Sequence, residues 1–121
     1  MHTLYICTTC KKRDGDDIVD AHAGEKFYAA VKESFDVWAH KNDFELVPTA
    51  CLSGCKKSCT FALQKEGKYA YIFGCADEGM IQDIFNLAAA YQSNAQGILK
   101  KIDRPDCLKD KVLARIPPLR S

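Results

Sequence analysis

Five of the seven cysteines stand in two tight groups, Cys7-Thr8-Thr9-Cys10 and Cys51-Leu52-Ser53-Gly54-Cys55-Lys56-Lys57-Ser58-Cys59. Each group follows a short strand-like run, Leu4-Tyr5-Ile6 in the first case and Phe44-Glu45-Leu46-Val47 in the second. Thiolates this close in sequence, carried on loops at strand ends, suit a soft metal ion or an iron–sulfur cluster better than a hydrophobic core. Two such loops can supply four thiolates, the ligand count of both a [2Fe–2S] cluster and a structural zinc ion. Inert thiols in turns would not account for cysteines at every fourth position from 51 to 59.

The 121 residues suffice for one domain, 1–121, with a single core. Apolar residues make up 47% and charged residues 27%, ordinary for a globular protein. The formal net charge of +1 gives no argument for nucleic acid or a membrane surface. The chain opens straight into Leu4-Tyr5-Ile6-Cys7 without a basic segment or cleavage site, so no secretory signal is expected. The longest apolar stretch, residues 84–91, is far too short to span a bilayer. A cytoplasmic location follows as the expectation, and there seven cysteines, an odd count, serve as ligands or redox groups rather than as a disulfide framework.

The elements that must position these thiols are legible from pattern. Residues 3–7 read as a buried strand, and the polar, glycine-containing residues 8–24 as a long exposed loop. Phe27, Val31, Phe35 and Trp38 recur at helical spacing across residues 24–41, with Glu25 near the start and His40 and Lys41 near the end to match the helix dipole. Residues 44–49 form a second strand. Residues 60–64 and 69–73 flank Lys65-Glu66-Gly67-Lys68 as a β-hairpin. Asp77 offers an N-cap to an amphipathic helix carrying Met80, Ile84, Leu87 and Tyr91 and ending near Ser93 and Asn94. In the tail, from about residue 102, a short helix is expected over 106–114, stopped by Pro117-Pro118. The order is an α/β one, β-α-β-β-β-α with a short C-terminal extension, which is the order of the thioredoxin-like fold. Strands joined by a crossover helix run parallel, so the two cysteine loops leave the same sheet edge and can converge.

Leu4-Tyr5-Ile6-Cys7 and Thr49-Ala50-Cys51-Leu52-Ser53-Gly54-Cys55 resemble the two ligand regions of the thioredoxin-like [2Fe–2S] ferredoxins. They are equally similar to the related small subunit of respiratory complex I. The resemblance covers roughly residues 3–92. It implies cluster ligation by Cys7, Cys51 and Cys55, with Cys10 the nearest candidate for the loop ligand, and a possible homodimer. The whole pattern, Cys59 and the tail from Arg104-Pro105 to Pro117-Pro118 included, resembles more closely still a group of small bacterial proteins described only as predicted metal-binding proteins. Two departures from the ferredoxin pattern stand out. Cys10 follows Cys7 by only three residues, closer than the family's spacing, and Cys59 is an additional thiol that competes with Cys10 for the fourth place.

Zinc is the main rival to a cluster, as a cysteine-ligated carrier or regulatory module; cobalt is another candidate metal for such a module. A thioredoxin-type redox pair at Cys7 and Cys10 is a third reading. It wants a helix N-terminus beside the first cysteine, whereas helical periodicity begins only near residue 25, and the thioredoxin proline before the hairpin is replaced by Ser58-Cys59-Thr60. Lys11, Lys12, Arg13, Lys56 and Lys57 flank the ligands and would offset the negative charge of a four-thiolate site. Cys75 and Cys107 read as structural, Cys75 as buried filler, and His2, His22 and His40 as surface residues. Asp16 and Asp17 lack a partner base, and neither a phosphate loop nor a nucleophile motif is present. The expectation is a small [2Fe–2S] protein, more an electron carrier or metal-handling accessory than an enzyme. It would serve a redox or metal-pathway protein partner.

Overall fold

A computed structural model describes residues 1–14, 17–50 and 59–118, the side chains of 12–14 excepted. Strands β1 (His2–Cys7), β4 (Phe44–Thr49), β5 (Phe61–Gln64), β6 (Ala70–Phe73) and β7 (Val112–Ile116) form one sheet in the order β4-β1-β5-β6-β7. Between β1 and β4 lie a small hairpin, β2 (Lys12–Asp14) with β3 (Asp17–Asp20), and helix α1 (Ala23–Phe35). Helix α2 (Ile81–Ser93) follows β6. β1 and β4 run parallel from the pair His2/Phe44 to the pair Cys7/Thr49, and the remaining neighbours are antiparallel. This is the thioredoxin-like α/β fold read from the sequence.

Strand alternation sorts the side chains. The register sets Leu4, Leu63 and Tyr71 in one row and Ile6, Phe61 and Phe73 in the next. All six are at 0% exposure. The helical stripes, Phe27 and Val31 from α1 and Ile84, Phe85, Leu87, Ala88 and Tyr91 from α2, join the same core. Trp38 stacks on Phe85, with ring centroids 4.8 Å apart, and so ties the end of the α1 connection to α2. Burial of each large side chain stabilises the fold by about 1.5–3 kcal/mol.

Three expectations change. Residues 8–24 are not an open loop, because β2 and β3 fold the polar run back on itself and return the chain to β1. Helix α1 ends at Phe35 rather than near residue 41. The Asp36 N–H closes it on Lys32 O, the Lys41 ammonium donates to Asp36 O, and a 3₁₀ turn, Lys41–Asp43, leads into β4. The tail forms only a 3₁₀ turn at Asp106–Leu108 before Val112–Ile116 pairs with β6. Strand β6 has an open edge whose backbone groups need partners, and the run Val112-Leu113-Ala114-Arg115-Ile116 suits a strand better than a helix. Arg104 anchors this return, donating to Leu99 O and Lys109 O.

His2 also departs from the surface reading. Because β1 begins at this residue, its ring lies against Phe44 and edge-on to Tyr91, with Nε2 2.8 Å from Lys68 Nζ. Burial and the Lys68 charge lower its pKa. His22 and His40 sit in exposed pairs with Glu25 and Asp43, as expected. Among the described residues, no helix is long and apolar enough to cross a membrane.

Candidate metal centre

The site is built where β1 ends. Parallel pairing brings Cys7 opposite Thr49, and the loop after β1 is pinned to the end of β4: the Thr8 N–H and hydroxyl both donate to Thr49 O, at 2.8 and 3.1 Å. The Cys7 N–H donates to Thr60 O at 3.1 Å, joining the same loop to the residue before β5. Three chain segments, 7–10, 49–50 and 59–60, therefore meet at one sheet edge, as the parallel topology required.

Cys7 and Cys10 are buried, at 1% and 2% exposure, and their thiols lie close enough to perturb each other's proton affinity. Cys10 Sγ lies 3.4 Å from Thr60 Oγ1; Cys7 Sγ lies 3.8 Å from Thr9 Oγ1 and 3.9 Å from the carbonyl oxygen of Ala50. Burial raises the Cys7 pKa, but hydrogen bonds from Cys10, Thr9 and Thr60 outweigh it and hold the thiol below its usual value. Cys10 moves the other way, pushed up to about 11 by burial and by its bond to Cys7. Cys59 joins the group: it is 7% exposed, burial pushes it up to about 12, and the nearby Cys10 and Cys7 sulfurs add to the rise.

Cys51 and Cys55 lie outside the described residues, as do Lys56 and Lys57. Lys11 is exposed beside Cys10. Among the described residues, no three His, Cys, Asp or Glu side chains stand as a coordination sphere. Cys7, Cys10 and Cys59 are thus buried neighbours whose soft, poorly solvated sulfurs fit a metal centre chemically but do not complete one by themselves.

Two residues escaped the sequence reading. Thr60 is the one buried polar side chain among the described residues, and it binds both cysteines of the first loop. Its position directly after Cys59 was the available signal. Gly24 is the other. A Cβ there would fall 2.7 Å from Thr8 C and 2.8 Å from Cys10 N, while the Gly24 N–H donates to Cys10 O at 2.9 Å. The start of α1 thus rests on the Cys7–Cys10 loop. Periodicity that begins near residue 25 does not reveal this contact; the β2–β3 hairpin is what brings the helix back to the loop.

Two further thiols lie elsewhere. Cys107 donates to Asp83 Oδ2 at 3.3 Å. Cys75 is exposed rather than buried filler and has φ of 55°, the only positive φ outside glycine among the described residues. The turn leaving β6 forces the chain outward there.

Solved structures with similar folds include the thioredoxin-like [2Fe–2S] ferredoxin from Aquifex aeolicus, with a TM-score of 0.61 at 13% identity over 100% of this chain and 98% of that one. A serine variant of the same ferredoxin gives 0.60 at 9% identity over 94% and 99%. A wild-type structure gives 0.58 at 12% identity over 94% and 97%. At such identities the likeness concerns the fold alone. No curated protein matches the chain. A family model described as a protein of unknown function, DUF1636, matches residues 4–118. The chain belongs to that family.

Proposed function

We propose that this protein holds a [2Fe–2S] cluster through Cys7, Cys10, Cys51 and Cys55 and passes single electrons to a redox or metal-pathway protein partner. The observation that carries the reading is the burial of Cys7 and Cys10 as neighbours at the end of β1, beside residue 50, with Ala50 O 3.9 Å from Cys7 Sγ. Cys51 is covalently joined to Ala50, which favours its reaching the same centre. When bound, the cluster supplies one-electron chemistry. The chain supplies thiolates, the Thr60 hydroxyl beside Cys10, a loop fixed by Thr49 and Gly24, and exclusion of water from the sulfurs. The likeness in fold to a ferredoxin supports the reading.

Zinc is the second reading, favoured by the two-residue gap between Cys7 and Cys10, the usual knuckle spacing. Anaerobic purification followed by metal analysis and a visible spectrum separates the two. Two irons and two sulfides per chain with charge-transfer bands support the cluster; a colourless protein with stoichiometric zinc overturns it. Cys55→Ser should abolish the bands and Cys107→Ser should leave them. Sedimentation of the loaded protein tests the proposed homodimer.

A further inference from the structure

A cavity of about 540 Å³ opens between the start of α1 and the segments around Cys59 and Cys75, and it is lined by both of these cysteines. Its walls include Cys59, Cys75, Phe27 and Ala76, with Asp77 and Glu78 among the acidic residues along it. Cys59 and Ala76 exchange both backbone hydrogen bonds, at 3.1 and 3.0 Å, so Cys75 is the chain neighbour of the residue paired with Cys59. Cys59 is more than nine-tenths buried, and no described residue hydrogen-bonds its sulfur. Cys75 is its opposite: exposed, and held at a backbone conformation that costs a side-chain-bearing residue about 1–2 kcal/mol. One buried thiol, without a hydrogen-bond partner among the described residues, and one exposed thiol thus line the same cavity, and the buried one is near Cys7 and Cys10.

We infer that Cys75 and Cys59 form a capture site through which a thiophilic divalent metal ion reaches the buried thiols. The inference rests on the reading of these thiols as a metal centre, and it concerns the entry of a single divalent ion, not the assembly of a [2Fe–2S] cluster. Cys75, reachable from solvent and lining the cavity with Asp77 and Glu78, gives its thiol proton to water and replaces a donor ligand: one metal–sulfur bond forms as one metal–ligand bond breaks. Cys59 then forms a metal–sulfur bond and releases its proton to water. The bond to Cys75 breaks and that sulfur takes up a proton. Passage to Cys7 and Cys10 repeats the exchange, and the metal keeps its oxidation state throughout. A cavity lined by both an exposed and a buried thiol offers the ion a first sulfur at the solvent and a second further in. The buried pair alone has no solvent-facing sulfur with which to begin.

Cd(II) alone, mixed by stopped flow with the reduced, metal-free full-length protein, tests the route through the growth of sulfur-to-cadmium absorption. Cys75→Ser and Cys75→Gly, the latter suited to the positive φ, should both bind cadmium at the wild-type stoichiometry but at least tenfold more slowly. Cys7→Ser should keep the fast first phase and lose the slow one. Unchanged rates in both Cys75 variants overturn the capture role, and a lower stoichiometry in them overturns it by making Cys75 a permanent ligand. If the wild type acquires no thiolate-bound cadmium at all, the metal-centre reading itself fails, a result separable from both others.

Discussion

Burial keeps Cys10 a neutral thiol at neutral pH, since its pKa is pushed up to about 11, while Cys7 is drawn down by the hydrogen bonds it receives. A metal ion that binds Cys10 must expel that proton, so affinity should climb about tenfold per pH unit for each proton released. Competition titrations with Cd(II) between pH 6 and 8 read this slope directly, and a flat profile would show that Cys10 is not engaged. At Cys75 the residue scale gives a second expectation. Glycine relieves the strain of φ 55°, so Cys75→Gly should raise the stability of the metal-free protein by about 1 kcal/mol in a denaturant melt, whereas Cys75→Ser should not.

The element that most constrains the site is the start of α1. Gly24 lets the helix backbone touch residues 8–10, and an alanine Cβ would meet backbone atoms, which cannot swing aside as a flexible side chain can. Gly24→Ala should therefore cost about 1–3 kcal/mol of stability. It should also weaken metal binding by displacing Cys10, measurable as a lower cadmium affinity in protein that still folds. Strand β7 carries a different lesson. Its pairing with β6 closes an otherwise open edge, so Ala114→Pro, which forfeits a donor and distorts the ladder, should destabilise by about 1–3 kcal/mol. A helix over 106–114 would leave the β6 edge unpaired, whereas with β7 in place the same substitution should lower amide exchange protection at Ala70 and Ile72.

Across the whole molecule, several buried groups bind their protons more tightly when folded. Cys10, Cys59 and Tyr91 rise to about 11, about 12 and about 12, from ordinary values of 9.0 for the thiols and 10.0 for the phenol. The unfolded chain loses these protons first, so the stability they represent is complete below pH 9 and drains away as pH climbs toward 11 and 12. The slope is about 1.4 kcal/mol per pH unit for each group titrating, offset in part by Cys7, whose shift has the opposite sign. Thermal melts of the reduced, metal-free protein from pH 8 to 11 should show a falling midpoint. A bound metal, by fixing thiolates, should flatten that fall.

The order of the main helices and strands and the arrival of the ends of β1 and β4 at one sheet edge were legible in the chain itself, because helical periodicity in Phe27/Val31 and Ile84/Leu87/Tyr91 and strand alternation are local properties. The hairpin of β2 and β3 was not, since polar strands carry no hydrophobic alternation, and β7 was not, since its partner is an edge some forty residues earlier. Only tertiary structure could set Thr60 between Cys7 and Cys10, press Gly24 against their loop, and turn Cys75 outward into a chamber shared with Cys59. Each of those outcomes depends on backbone segments far apart in sequence approaching within a few ångströms, and that approach is decided by how the sheet pairs and the helices pack upon it.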